Sequence, residues 1–274
     1  WFSEAGLHAR SDFQKTVELL AARGAIYEEG GALWFRATAF GDERDRVLIR
    51  SDGTPTYLGG DIAYRRSIYE RGFHRLINVL GIDHQGQVKS LKAAVQAMGY
   101  DPETLEVILY QHVLFKRGGE ALRMSKRIGE IVTLQDLLDT VGADAARYFL
   151  VMTNPSTPLE FDLELAVKQS AENPVYYVQY AHARICSILR EASRHPVGRA
   201  FVAGDPNDQH LLPGEAKDLD LSPLTHEAER SLMRKLADFP DVILTAGMRR
   251  EPHRLCTFAQ ELATAFHGFY TQCR

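Results

Sequence analysis

The sequence predicts an α/β protein, with a parallel-sheet region first and an α-helical bundle after it. Three observations carry that expectation. HRLINVLGI (74–82) and LEVILYQHVLF (105–115) read as buried strands. DHQGQVKSLKAAVQAMG (83–99), between them, reads as a helix ended by Gly99, and strand, helix, strand in this order is a βαβ unit with a right-handed crossover. From VTLQDLL (132–138) onward the apolar residues recur only at helical spacing.

The elements follow in order. SDFQKTVELLAAR (11–23) puts Ser11 where an N-cap belongs and spaces Phe13, Val17 and Leu20 along one face, which predicts an amphipathic helix. ALWFRAT (32–38) and DRVLIR (45–50) are strand-like runs set off by Gly30-Gly31 and Ser51-Asp52-Gly53, and read as a β-rich insertion or hairpin. Ligands of open parallel sheets gather beyond the carboxyl ends of the strands, which places Gly81, Asp83, His84 and the loop at 116–129 at one end of the βαβ unit. VGADAARYFLV (141–151), LELAVKQS (163–170) and NPVYYVQYAHARICSILREA (173–192) are helical, the last with Asn173 as N-cap and Pro174 at the first helical position. Val175, Val178, His182, Ile185 and Leu189 make its apolar face, with His182 as a core histidine. Residues 196–222 are rich in Pro, Gly and Asp and read as a loop; helices resume at Pro223 and again after Pro252. The sheet gives way to the bundle near residues 130–170.

Bulk properties remove several function classes. The 274 residues are 45% hydrophobic and 25% charged, a globular composition with room for one large or two ordinary domains. A net charge of −4 excludes a broad phosphate-binding field, so any nucleic-acid contact must be local. Cys186, Cys256 and Cys273 are odd in number and far apart, and neither CxxC nor HExxH occurs, which predicts no disulfide framework and no protein-bound metal. No apolar run reaches 18 residues, and WFSEAGLHAR lacks the zones of a signal peptide, so a soluble, unexported protein is expected. The opening on Trp1 reads as the middle of a folded segment, which predicts a fragment.

Four constellations could carry chemistry, and each has a second reading. In the 116–129 loop, Lys116, Arg117, Arg123, Lys126 and Arg127 are opposed only by Glu120, while Gly118, Gly119 and Gly129 let backbone approach a ligand. Such a loop wraps phosphates with charge-assisted bonds, or is simply a solvated basic turn. In GIDHQG (81–86), Asp83 and His84 face an anion or ribose at a helix start, or Asp83 merely caps that helix. In TYLGGDIAYRRSIYERG (56–72), Tyr57, Asp61 and Tyr64 fall at i, i+4 and i+7. Two hydroxyls around a carboxylate suit a guanidinium, unless Gly59 and Gly60 delay the helix and leave Asp61 as its N-cap. Tyr64 could equally serve packing. Tyr177, Tyr180 and Arg184 share a stripe suited to stacking on unpaired RNA bases, or to packing between helices. Residues 174–274 hold 12 Lys+Arg against 12 Asp+Glu, so no general field supports RNA there.

The order of the segments adds a resemblance. Met124-Ser125-Lys126 is similar to the second signature loop of class I aminoacyl-tRNA synthetases, Lys-Met-Ser-Lys-Ser, with Arg123 and Arg127 at the departing ends. MSKR followed by VTLQDLL, VGADAARYFL, FDLELA and NPVYYVQYAHARI resembles arginyl-tRNA synthetase in particular, across residues 1–190 and more weakly beyond. The resemblance implies the C-terminal half of a Rossmann-type parallel-sheet catalytic domain at 1–130, carrying a β-rich insertion. A helical connecting region at 131–170 and an α-helical anticodon-binding domain at 171–274 follow. That last domain is named for an Asp-Ala-Leu-Arg motif, which here reads Asp144-Ala145-Ala146-Arg147.

It also implies roles. Lys126, with Ser125, serves catalysis by holding the departing pyrophosphate, a kind of contact whose loss costs roughly 10²- to 10³-fold in rate. Gly81, Asp83, His84, Met124 and Lys126 contact ATP; Tyr57, Asp61 and Gln85 hold the arginine side chain; Tyr177, Tyr180 and Arg184 meet tRNA. The expected activity is ATP-dependent ligation of L-arginine to tRNA(Arg) through an arginyl-adenylate, with Mg2+ accompanying ATP, by a cytoplasmic monomer that needs no membrane. No HxGH occurs in the chain. The resemblance therefore implies a partial, inactive chain lacking the family's first signature, His-Ile-Gly-His, and its extreme C-terminal segment. A noncatalytic tRNA-binding or interaction module derived from a synthetase is the alternative; a nucleotidyltransferase for another small substrate is a weaker third.

Overall fold

The computed structural model describes residues 2–3, 12–122, 133–194, 202–203, 212–213 and 222–273. They fall into two compact units, Trp1–His112 and Val113–Arg274.

The first unit begins with α1 (Asp12–Ala22). An antiparallel sheet in the order β1 (Ile26–Glu29), β2 (Ala32–Phe35), β3 (Arg46–Ile49) follows. Gly30 and Gly31, at φ +58° and +75°, make the two-residue turn between β1 and β2, a left-handed pair that side chains resist and that matches the twist of a hairpin. Next come α2 (Tyr57–Glu70), β4 (Leu76–Gly81), α3 (Val88–Ala97) and β5 (Leu105–Tyr110). β4 and β5 are parallel, in register from Leu76↔Leu105 to Gly81↔Tyr110, with α3 as the crossover. Leu20, Phe35, Leu48, Ile62, Leu91, Val95 and Leu105 form one buried core. Each such side chain contributes about 1.5–3 kcal/mol by leaving water.

The βαβ reading holds, with corrections at its edges. β4 is not buried throughout: Leu76 and Leu80 face the core, while Ile77 and Val79 point the other way and Val79 is 61% exposed. Alternation along a strand puts neighbours on opposite faces. The crossover helix starts at Val88, after a 3-10 turn over Ile82–Gln87. The 105–115 run is two strands. β5 stops at Tyr110, and Val113–Arg117 (β6) belongs to the other unit. α1 buries Asp12 and Thr16 beside Leu20, because both bind the guanidinium of buried Arg66. Ser11 lies outside the described residues.

In the second unit β6 pairs antiparallel with β7 (Glu120–Ala121) and parallel with β8 (Leu159–Asp162). Helices α4 (Leu134–Val141), α5 (Ala143–Val151) and α6 (Leu163–Val167) pack around Leu137, Phe149, Phe161 and Leu163. Thr133 and Asp136 form a reciprocal capping box at the start of α4. α7 (Pro174–Arg194), α8 (Glu227–Ala237), α9 (Phe239–Arg249) and α10 (His253–Gln272) make the bundle. Asn173 caps α7 as its sequence predicts: its Oδ1 accepts from the amides of Val175 and Tyr176, and its Nδ2 donates to the carbonyls of Ala166 and Lys168. Within the stretch read as loop, Val202–Ala203 (β9) and Leu212–Pro213 (β10) form a short antiparallel ladder. His182 is exposed rather than in the core, its Nε2 3.6 Å from Cys186 Sγ.

Candidate functional site

The site begins with how α2 starts. Thr56 is its N-cap, accepting from the Gly59 amide at 3.2 Å and donating to the Val47 carbonyl. Asp61 is therefore inside the helix, one turn on, and does not cap it. Gly59 permits the early start, since a Cβ there would lie 2.8 Å from Phe13 Cε2 and 2.9 Å from the Leu48 carbonyl oxygen. Tyr57 and Asp61 consequently share one stripe, Tyr57 being 87% exposed and the Asp61 side chain 41%. Tyr64 turns to packing, its ring 4.7 Å from that of Phe2. Arg65, buried beneath the stripe, donates from Nη1 to the Asp61 carbonyl (2.7 Å) and to Asp61 Oδ1 (3.2 Å).

A second group sits where β4 ends. Gly81 leads into the 3-10 turn, which presents Asp83, His84 and Gln85 to solvent. Asp83 caps nothing: α3 follows Gln87 without a side-chain cap, and Asp83 Oδ1 lies 3.6 Å from His112 Nε2. His84 Nδ1 is 3.4 Å from Gln87 Oε1. Tyr110 flanks Gly81, where a Cβ would meet its ring at 3.7 Å. Sequence reasoning missed Tyr110 and His112, although the rule that ligands gather past the carboxyl ends of parallel strands points to both. Among the described residues no hydrogen bond or ion pair joins Tyr57 or Asp61 to residues 81–85.

The basic loop is shorter than its sequence implies. Lys116 and Arg117 belong to β6, and Lys116 Nζ pairs with Glu160 Oε2 of β8 at 2.6 Å, so Glu120 is not the sole opposing charge. Gly118 and Gly119, at φ +59° and +81°, form the tight turn from β6 to β7. Arg123, Met124, Ser125, Lys126, Arg127 and Gly129 lie outside the described residues.

A third group lines one cleft of the bundle, of about 460 Å³, with Tyr176, Tyr177, Tyr180, Arg184 and His267 on its walls. Tyr177 leans inward, its hydroxyl donating to Thr264 Oγ1 and its ring tilted against His267. Tyr180 is exposed, near-parallel to Tyr176 at 6.1 Å, and accepts from Arg184 Nη2 at 2.8 Å. The Arg184 guanidinium lies over the Tyr180 and Tyr270 rings. Burial, and then the Arg184 charge, hold the His267 imidazole below its ordinary pKa, and its buried Nε2 has no hydrogen-bond partner among the described residues. Flat aromatic faces beside a cation accept a planar, electron-rich ring.

The family described as tRNA synthetases class I (R), catalytic domain, matches residues 6–186, and the DALR anticodon binding domain matches residues 178–274. Asp144–Arg147 thus falls in the catalytic match, not in the bundle. An arginine–tRNA ligase of Heliobacterium modesticaldum is 53% identical over all 274 residues, and one of Moorella thermoacetica 52%. The alignments cover 47% and 46% of those proteins, so the chain spans about half the length of the curated relatives it matches. A solved structure from Campylobacter jejuni, described as an arginyl tRNA synthetase, superposes with a TM-score of 0.82 at 31% identity, over 99% of this chain and 55% of the other. The Thermus thermophilus arginyl-tRNA synthetase shares the fold, with a TM-score of 0.75 at 24% identity over 96% of this chain and 50% of its own.

Proposed function

We infer the function from one premise: the chain belongs to the class I arginyl-tRNA synthetase family, whose catalytic domain matches residues 6–186. The protein that carries it ligates L-arginine to tRNA(Arg). The arginine carboxylate attacks the α-phosphorus of ATP, pyrophosphate leaves, and a hydroxyl at the 3′ end of tRNA then displaces AMP from the arginyl-adenylate. Mg2+ enters with ATP, as part of the substrate. One observation supports the reading most: a single compact unit carries an exposed hydroxyl–carboxylate stripe and a polar turn at the carboxyl end of a parallel strand pair. It does so in a chain about half identical, end to end, to arginine–tRNA ligases.

Roles follow from chemistry. Asp61 takes the substrate guanidinium through charge-assisted bonds, with Tyr57 and Gln85 beside it. Gly81, Asp83 and His84 meet the adenosine part of ATP. Met124, Ser125 and Lys126 belong to the loop over its phosphates, and Lys126 neutralises the departing pyrophosphate. Tyr180 and Arg184, with Tyr177 as their inner support, meet unpaired bases of tRNA. Residues 1–130 serve activation, 131–170 connect, and 171–274 bind the anticodon region. No helix among the described residues is long and apolar enough to cross a membrane; we assign a cytoplasmic monomer.

Aminoacylation of tRNA(Arg) by the native protein tests this, with Lys126→Ala as the diagnostic variant. Adenylate formation is expected to slow roughly 10²- to 10³-fold while arginine affinity holds. Equal loss of both contradicts the role of Lys126. Binding of tRNA without any activation of arginine favours a noncatalytic module instead.

A further inference from the structure

Arg65 is the least expected residue beside the arginine stripe. Its side chain is only 4% exposed, its Nη1 is spent on the Asp61 backbone carbonyl and Oδ1, and its buried Nε has no partner among the described residues. A buried cation with an unmet donor is costly, and a helix that needed only packing here would carry an apolar residue. The Asp61 side chain is 41% exposed, and its Oδ2 has no hydrogen-bond partner among the described residues.

We infer that Arg65 is a positioning residue that sets the specificity of this site for a guanidinium over an ammonium; this rests on the reading of Asp61 as the guanidinium acceptor. The clamp works in two ways. By holding Oδ1 and the backbone carbonyl with one nitrogen, it fixes the carboxylate and leaves Oδ2 unbonded. By standing a positive charge behind that carboxylate, it reduces the attraction felt by a bare point charge. A lysine or ornithine ammonium brings little but charge and is disfavoured. A planar guanidinium brings parallel donors that bond the remaining oxygen lone pairs directionally, so it keeps its affinity.

Binding of arginine and of lysine to the native protein, measured by calorimetry for the unaltered protein and for Asp61→Asn, Arg65→Met and Arg65→Lys, tests the inference. Arg65→Met is expected to lower the arginine-to-lysine preference about tenfold, and Arg65→Lys, which keeps charge and a donor, to stay within about threefold of the unaltered chain. A purely structural role would lower the melting temperature and leave the preference unchanged. If Asp61→Asn loses the preference but Arg65→Met keeps it, the inference fails while the reading of Asp61 stands. If Asp61→Asn keeps it, the reading of Asp61 itself fails. Should Arg65→Met not fold, Arg65→Gln, which keeps length and a donor without the charge, takes its place, and an unchanged preference contradicts the inference.

Discussion

At the scale of single residues, Asp42 shows how polar chemistry holds the first unit together. Burial pushes its carboxyl pKa up. Hydrogen bonds from Arg46, Ser90 and the Glu43 amide outweigh that and hold it at about 2. Because the folded pKa lies below the unfolded one, the stabilisation is complete above the unfolded value of 3.8 and is lost as pH falls toward 2. It amounts to about 2 kcal/mol. Urea unfolding of the native chain and of Asp42→Asn, compared at neutral pH and near pH 3, should show the difference between them shrinking on acidification. Gly59→Ala makes a second test. Its methyl would meet Phe13 and the Leu48 carbonyl below 3 Å, so a loss of about 1–3 kcal/mol is expected by thermal melting. Neither role is readable locally, since Ser90 lies 48 residues from Asp42 and the neighbours of Gly59 come from α1 and β3.

At the scale of elements, local signals were legible and long-range ones were not. Asn173-Pro174 marks the start of α7 because cap and first-turn chemistry are written in adjacent residues. Removing the cap with Asn173→Ala should cost about 1–2 kcal/mol, and more where the Ala166 and Lys168 carbonyls go unmet; circular dichroism melting of the chain measures it. Lys116, by contrast, reads as a loop cation until β8 brings Glu160 beside it from 44 residues away. The same holds for Arg66, whose partners Thr16 and Asp12 lie at least 50 residues back, and for His182, whose apolar stripe did not decide its exposure. Along α7 Tyr180 is exposed and Arg184 half-buried over the Tyr180 and Tyr270 rings, while Tyr177 bonds Thr264. Arg184→Ala should therefore weaken tRNA binding by about 1 kcal/mol or more, with little change in melting temperature. Filter binding at fixed salt checks it, and an unchanged affinity would remove Arg184 from the RNA surface.

At the scale of the whole molecule, the parallel strand pair and the helical C-terminal part were visible in hydrophobic period, whereas β8 (Leu159–Asp162) interrupts the stretch from residue 132 that the period reads as wholly helical; the segments around Met124-Ser125-Lys126 resemble the family to which the chain belongs. The candidate site was legible as residue types and only partly as geometry. Tyr57 and Asp61 share their stripe because Thr56 starts the helix early; Asp83 lies 3.6 Å from His112, which no motif announced. The most direct test is arginine-dependent exchange of labelled pyrophosphate into ATP by the native protein in the presence of tRNA(Arg). Exchange with arginine and with no other amino acid is the predicted result; exchange with another amino acid and none with arginine would contradict the assignment.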